Sequence, residues 1–281
     1  YLVRAIDEGG FLWLANGQAW QRTTSVRNWF TVGQRVTVLA RSGPIPGIIG
    51  SATGHLATVV LPDPKELTWN DFWVDTGLAR DELLARGVTP GTRVIWDAET
   101  VQFGEHVVGK ALDDRVPLAI LTEVLRRVPA EELGCRMTLA ATVQEEIGVI
   151  GASAVAARTN GEFDAAIVVE IGLAGDIPGV GQNAMPLKLG AGPVLVHKDA
   201  AVHYDHTLTA ALERTAAEAG IAIQHAVFGS FGSDGSATMR ADIPSAMVAF
   251  AARYTHSPFE TGHLGDIAAI VDWLCAFVRE Q

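Results

Sequence analysis

The sequence predicts an α/β protein: a mostly parallel sheet with helices on both faces, accompanied by a small barrel- or sandwich-like β domain. Two patterns carry this. Over roughly the first hundred residues, short apolar runs alternate with Gly and Pro turns. From Val107 onward, strand-length apolar runs alternate with longer runs of helical period, the pattern of βαβ units. A chain of 281 residues that is 48% hydrophobic and 19% charged can bury a sizeable core.

In the β-rich part, residues 35–39 and 58–61 read as strands. Ser42-Gly43-Pro44 and Pro46-Gly47 read as turns. Thr89-Pro90-Gly91-Thr92 is a further turn, followed by a strand over 93–96. Beyond Val107, residues 117–128 form a helix. Leu118, Leu121, Val124, Leu125 and Val128 fall on one face, and Pro117 suits a first turn. Strands are predicted over 137–143 and 165–169, a helix over 207–219 ended by Gly220, and strands over 221–227 and 246–251. Residues 267–278 form a closing helix, with Ile267, Ile270, Val271, Leu274, Phe277 and Val278 inward.

The net charge of −11, without a Lys/Arg cluster, argues against a nucleic-acid partner. Acidity fits a protein that holds divalent cations, and equally one that is acidic for solubility. Cys135 and Cys275 form no CxxC pattern and read as two buried thiols in a reducing compartment, which points to the cytoplasm. No run is apolar for long enough to span a bilayer, and no signal peptide is evident. The chain opens inside a predicted strand, without Met, so its natural start is expected upstream of Tyr1.

In open α/β sheets, ligands bind beyond the carboxyl ends of the strands. Acidic residues and a His recur at those places here: Glu145 and Glu146, Glu170, Gly232-Ser233-Asp234, and Arg253-Tyr254-Thr255-His256, with Asp113 and Asp114 before a helix. Two adjacent carboxylates repel unless a cation is near. On an extended backbone Glu145 and Glu146 point to opposite sides, so one can bind a metal while the other faces its water. The plainer alternative is two solvated glutamates. Of Asp113 and Asp114, one reads as an N-cap and the other as a residue bridging two metal ions. Glu170 ends a very apolar run, where a carboxylate sits at the solvent edge or beside a cation. A lone His256 is as readily structural as a ligand. His197, His203 and His206 show no ligand spacing, and His203 and His206 are expected to be exposed.

Gly109-Lys110-Ala111, Leu112-Asp113-Asp114-Arg115, Val143-Gln144-Glu145-Glu146-Ile147-Gly148, Asp176-Ile177-Pro178-Gly179, Gly190-Ala191-Gly192-Pro193 and Arg253-Tyr254-Thr255-His256-Ser257-Pro258 occur in the order and spacing of the M42 metallo-aminopeptidases. The chain resembles that family over essentially its whole length. The resemblance implies a catalytic α/β domain (residues 1–8 and 107–281) interrupted by a barrel-like dimerisation domain (9–106). It implies peptide substrates, no membrane, and self-association through the β-rich domain, up to a tetrahedral dodecamer. It also implies two divalent metal ions, zinc or cobalt: Asp113 bridging, Glu146 and Glu170 on either metal, His256 completing a site, and Glu145 as general base. Gly232, Ser233 and Asp234 would lie on the substrate side of the cleft. The chain departs from the family pattern in carrying Glu170 where Asp is usual. The family's His-x-Asp-Glu segment would precede Tyr1. Two other readings stand beside this one: an M42-like scaffold without a full metal site, which these departures motivate, and a glycoside hydrolase, whose two carboxyls about 5–9.5 Å apart the neighbouring Glu145 and Glu146 do not naturally supply.

Overall fold

The structure, a computed structural model, describes residues 2–15, 32–52, 56, 71–159 and 161–280. The strand expected over 58–61 lies outside them. The chain divides into two compact units, Tyr1–Glu99 and Thr100–Gln281.

The first unit is built on a six-stranded antiparallel sheet. Its strands are β1 (Leu2–Ile6), β2 (Leu12–Ala15), β3 (Arg35–Ala40), β4 (Gly43–Gly50), β5 (Trp73–Asp75) and β6 (Val94–Trp96), in the order β1-β2-β5-β4-β3-β6. Alternation sets the faces: Val36 and Val38 of β3, with Ile45 and Ile49 of β4, point into a core that also holds Leu12, Leu14 and Val74. Helix α1 (Arg80–Ala85) adds Leu83 to it. Asp7 fixes the β1–β2 turn by accepting the Phe11 N–H at 2.9 Å. Gly10 is required there: its φ is +85°, and a Cβ would lie 2.4 Å from the Leu78 carbonyl oxygen. The two ends of the sheet meet. Val3 N–H donates to Thr92 O and Gly91 N–H to Val3 O, each at 2.7 Å, and Leu2 bridges Arg93.

Pro46-Gly47, expected as a turn, lies inside β4. Pro44 and Pro46 pair with Leu39 and Thr37 of β3, while β5 joins β4 only from Ile48 onward. The prolines thus sit where a missing N–H interrupts no second ladder.

The second unit contains β7 (Val101–Phe103), β8 (His106–Gly109), α2 (Leu112–Arg127), α3 (Ile150–Arg158), β9 (Ala166–Leu173), β10 (Val194–Lys198), α4 (His206–Glu218), β11 (Gln224–Val227), α5 (Gly235–Arg240), β12 (Ser245–Arg253), β13 (Glu260–His263) and α6 (Leu264–Glu280). β12 is buried along nearly its whole length. It pairs with β9 on one edge, and with β10 and then β13 on the other.

This sheet is mixed, which corrects the mostly parallel expectation. β9–β12 and β10–β11 are parallel, whereas β10–β12, β12–β13, β13–β8 and β7–β8 are antiparallel. The connections explain it. β10 and β11 are joined through α4, long enough for a parallel crossover, whereas β7–β8 and β12–β13 are joined by short loops that allow only antiparallel return.

On one face of the sheet Val248 and Phe250 of β12 and Val169 and Ile171 of β9 pack beneath α2, α4 and α6 through Ile120, Val124, Leu212, Ile270, Trp273 and Leu274. The Trp273 indole N–H reaches the Leu212 carbonyl at 2.8 Å, so its burial leaves no polar group unpaired. On the opposite face Met247, Ala249 and Ala251 pack against Leu187, Tyr204 and Phe228. α4 is capped by the side chain of Asp205, which accepts the Leu208 N–H at 2.8 Å. It ends at Gly220, whose φ is +67°.

Three further expectations change. Residues 137–143 form no strand, and no ladder partner pairs with them among the described residues. The strand expected over 221–227 begins only at Gln224. Cys275 is buried as expected, but Cys135 is exposed, and neither forms a disulfide. Among the described residues, no helix is long and apolar enough to cross a membrane.

Candidate metal centre

The acidic residues singled out from the sequence converge in the Thr100–Gln281 unit. Asp113 and Asp114 lie at the entry to α2, where the backbone is not yet helical: Asp113 has ψ 101° and Asp114 ψ 55°. The peptide between them is cis. Neither acts as an N-cap, because the cap position is Ala111 and no side-chain capping bond forms. Pro117 then falls in the first regular turn, where a missing N–H costs nothing.

Glu145 and Glu146 sit in a 3-10 turn, Glu145–Ile147, rather than at the end of a strand. From this turn Glu146 joins a group of potential metal ligands and Glu145 does not. The turn is entered through Gln144 at φ 61°. Glu170 is not beyond its strand either. β9 continues to Leu173, leaving Glu170 mid-strand opposite Ala249, with 4% of the residue exposed. One of its oxygens accepts the N–H of Ile171 at 2.9 Å. His256 lies between β12 and β13 at φ 61°.

These side chains form two groups of three. Asp113, Glu146 and His256 bring one potential ligand atom each within 4.8 Å of one another, and so do Asp113, Asp114 and Glu170. Asp113 belongs to both. Its Oδ2 lies 3.0 Å from His256 Nε2, which is 3.4 Å from Glu146 Oε2.

The electrostatics are those of crowded anions. Burial and then Asp113 push Asp114 up to about 8, against a hydrogen bond from Glu170. Burial, then Glu146, Asp234 and Asp113, push Glu145 to about 7. Burial and Asp113 do the same to Glu146, with His256 opposing. Glu170 is raised by burial, then by Asp114 and Asp113. Burial pulls the His256 imidazole down, but Asp113, Glu146 and Glu260 outweigh it and hold the ring above its ordinary value. Buried carboxylates in such numbers call for positive charge. Asp114 Oδ1 and Asp234 Oδ1 are buried without a hydrogen-bond partner. Carboxylate oxygens with one imidazole suit a divalent cation such as zinc, cobalt or manganese.

The loop Gly232-Ser233-Asp234 divides. Gly232 is exposed. Ser233 is fully buried and turned inward, its hydroxyl 2.7 Å from the Tyr204 hydroxyl, which donates to Asp199 at 2.8 Å. Its side chain holds the loop and is not available to a substrate. Asp234 accepts a hydrogen bond from Thr142 and acts on Asp114 and Glu145 through its charge. The fold also joins two other motifs, 77 residues apart in sequence: Arg253, at the end of β12, makes a bidentate pair with Asp176 at 2.7 and 2.6 Å. His203 and His206 are exposed, as expected.

Of Asp113 and Asp114, between which the sequence leaves the cap open, neither is a cap, and both fall in one group of potential ligands. Sequence reasoning missed one participant. Glu260 carries no local signal beyond being an acid at the head of a strand, and only the fold brings it against Asp113 and His256.

The chain is similar to known proteins over nearly its whole length. The profile of the family described as M42 glutamyl aminopeptidase matches residues 1–273. FrvX of Escherichia coli K12, a protein named as an aminopeptidase, is 32% identical over 268 residues, covering 92% of this chain and 70% of its own. The glutamyl aminopeptidase of Lactococcus lactis is 27% identical over 252 residues, covering 88% and 69%. Among solved structures, the Pyrococcus horikoshii TET1 peptidase, described as assembling into a tetrahedron or a large octahedral shell, superposes with a TM-score of 0.81 at 27% identity, over 100% of this chain and 80% of that one.

Proposed function

The chain belongs to the M42 family of aminopeptidases, and from that premise we propose that it releases N-terminal residues from peptides at a two-cation centre bridged by Asp113. The observation that carries this is the sharing of Asp113 between two groups of donors. In this reading one cation is held by Asp113, Glu146 and His256. The other is held by Asp113 and Glu170, with the unpartnered Oδ1 of Asp114 beside them. A pair of divalent cations, zinc or cobalt, supplies Lewis acidity and a nucleophile from water near neutral pH.

The remaining roles fall to the chain's own groups. Glu145 is in neither donor group. Its carboxylate takes the proton of the attacking water and returns it to the leaving amine. A carboxyl raised to about 7 suits a group that must both accept and donate near neutral pH. Asp234, carried by the loop that Ser233 anchors, faces the same cluster and is the anion available to the substrate's free ammonium group.

The β-rich unit is assigned to self-association, with an assembly as large as a dodecamer. Leu39, Ile48 and Ile95 are each 40–46% exposed on neighbouring strands of its outer face, an apolar surface of the kind that subunit contacts cover.

The test is hydrolysis of leucine p-nitroanilide by chelated protein before and after addition of zinc or cobalt, with bound metal counted by elemental analysis. Activity restored with about two ions per chain is expected. A protein that binds no stoichiometric metal, and hydrolyses nothing, is instead the M42-like scaffold.

A further inference from the structure

Glu260 opens β13, and only 2% of the residue is exposed. Its two oxygens are divided between two segments of chain. Oε2 accepts the N–H of Asp113 at 3.0 Å, and Oε1 accepts the N–H of His256 at 2.7 Å. A further backbone hydrogen bond comes from Leu112. Glu260 belongs to neither group of potential ligands.

The backbones it holds are unusual. Ala111, two residues before Asp113, has φ 52°, and Tyr254 and His256 have φ 60° and 61°. Residues with side chains keep such conformations only where surrounding bonds over-determine them. The side chains of the two tethered residues then meet at 3.0 Å. One buried carboxylate therefore fixes, from behind, the separation of two groups that face each other in front.

We propose that Glu260 is a positioning residue for the metal centre, setting Asp113 and His256 at the spacing one shared cation requires. The proposal rests on the reading of Asp113 and His256 as ligands. Both backbone N–H groups need an acceptor, and only a carboxylate of this length offers one to each. In Glu260→Gln the amide has a single acceptor oxygen and turns an NH2 toward the other N–H. Glu260→Asp keeps both oxygens but falls one methylene short.

Cobalt(II) titration of the chelated full-length protein, followed by calorimetry and visible absorption, tests this. Glu260→Gln is expected to weaken cobalt binding by about 10–100-fold and to change the d–d spectrum, as outer partners of metal ligands do. Glu260→Asp is expected to recover part of both. The thermal midpoint of each chelated protein is recorded alongside. A variant with a lower midpoint but wild-type cobalt affinity and spectrum would show Glu260 to be structural only and would overturn the proposal. Should Glu260→Gln not fold, the same comparison on Glu260→Asp decides. His256→Ala separates the two levels of inference. If it binds cobalt as the wild type does, the ligand reading itself falls. If it loses affinity while Glu260→Gln does not, only the positioning role falls.

Discussion

Asp113 Oδ2 and His256 Nε2 lie 3.0 Å apart, joining the entry of α2 to the loop between β12 and β13. A carboxylate and an imidazole at that distance share either a proton or a cation, and Asp113 also faces Asp114 and Glu170. Its loss should therefore disable both donor groups at once. Asp113→Asn is expected to lower kcat/KM by more than about 100-fold, the upper end of the effect for residues that only support a ligand. His256→Ala should remove one group and leave the other. Elemental analysis distinguishes the two: about two ions lost for the first, about one for the second. Equal metal content in both variants would contradict a bridging Asp113.

Glu145 stands apart from both donor groups, and its replacement should separate chemistry from binding. Glu145→Gln keeps size and removes the proton acceptor. It should leave metal content and KM near the wild type and lower kcat by about 10²–10⁴-fold, the usual contribution of a positioned acid–base group. A proportionate loss of metal would instead make Glu145 a ligand.

Metal removal should be visible in stability as well as rate. The cluster crowds buried carboxylates whose charges raise one another's pKa values, with the His256 imidazole opposing at Glu145 and Glu146, so cations bound there should stabilise the folded chain. At a free metal concentration of about 100 times Kd, binding to the folded form alone adds about 2.7 kcal/mol. Differential scanning calorimetry with chelator, and then with zinc or cobalt, should show a midpoint that rises with metal concentration. A midpoint independent of metal would mean that the folded protein does not bind it.

How much of this was legible beforehand depended on whether the signal was local. β3 and the closing helix α6 could be read because their side chains repeat with the period of the element they form, and β12 because it is one short, continuous apolar run. Asp113, Glu145, Glu146, Glu170 and His256 could be picked out by residue type and motif, and the fold does bring them together. Their backbone settings could not be read. Glu145 and Glu146 occupy a 3-10 turn and Glu170 the middle of a strand, because tertiary contacts override the local pattern. Strand direction in the second sheet depended on which strands are neighbours, a property of no single segment. Glu260 was invisible for the same reason: its partners are backbone N–H groups, one of them 147 residues away in sequence.

The Arg253–Asp176 pair gives a prediction with a definite pH window. Arg253 donates two hydrogen bonds to Asp176, and the Leu189 N–H adds a third at 3.1 Å. The pair thereby ties the segment after β9 to the end of β12. The Arg253 bonds, then that of Leu189, outweigh the opposing effect of burial and hold the Asp176 carboxyl below its ordinary 3.8. Between the folded and unfolded values the unfolded chain binds more protons, so stability rises with pH there. The contribution is complete above the unfolded value and is lost as pH falls through the folded one. Asp176→Asn should cost about 1 kcal/mol at pH 7, at the upper end for a partly exposed pair because the contact is bidentate. That corresponds to a fall in thermal midpoint of about 2–4 °C for a domain of this size. Midpoints of wild type and variant should differ fully at pH 7 and draw together as the pH is taken below 3.8. A gap of the same size at both ends of that range would mean that the ionised carboxylate is not what holds the segment.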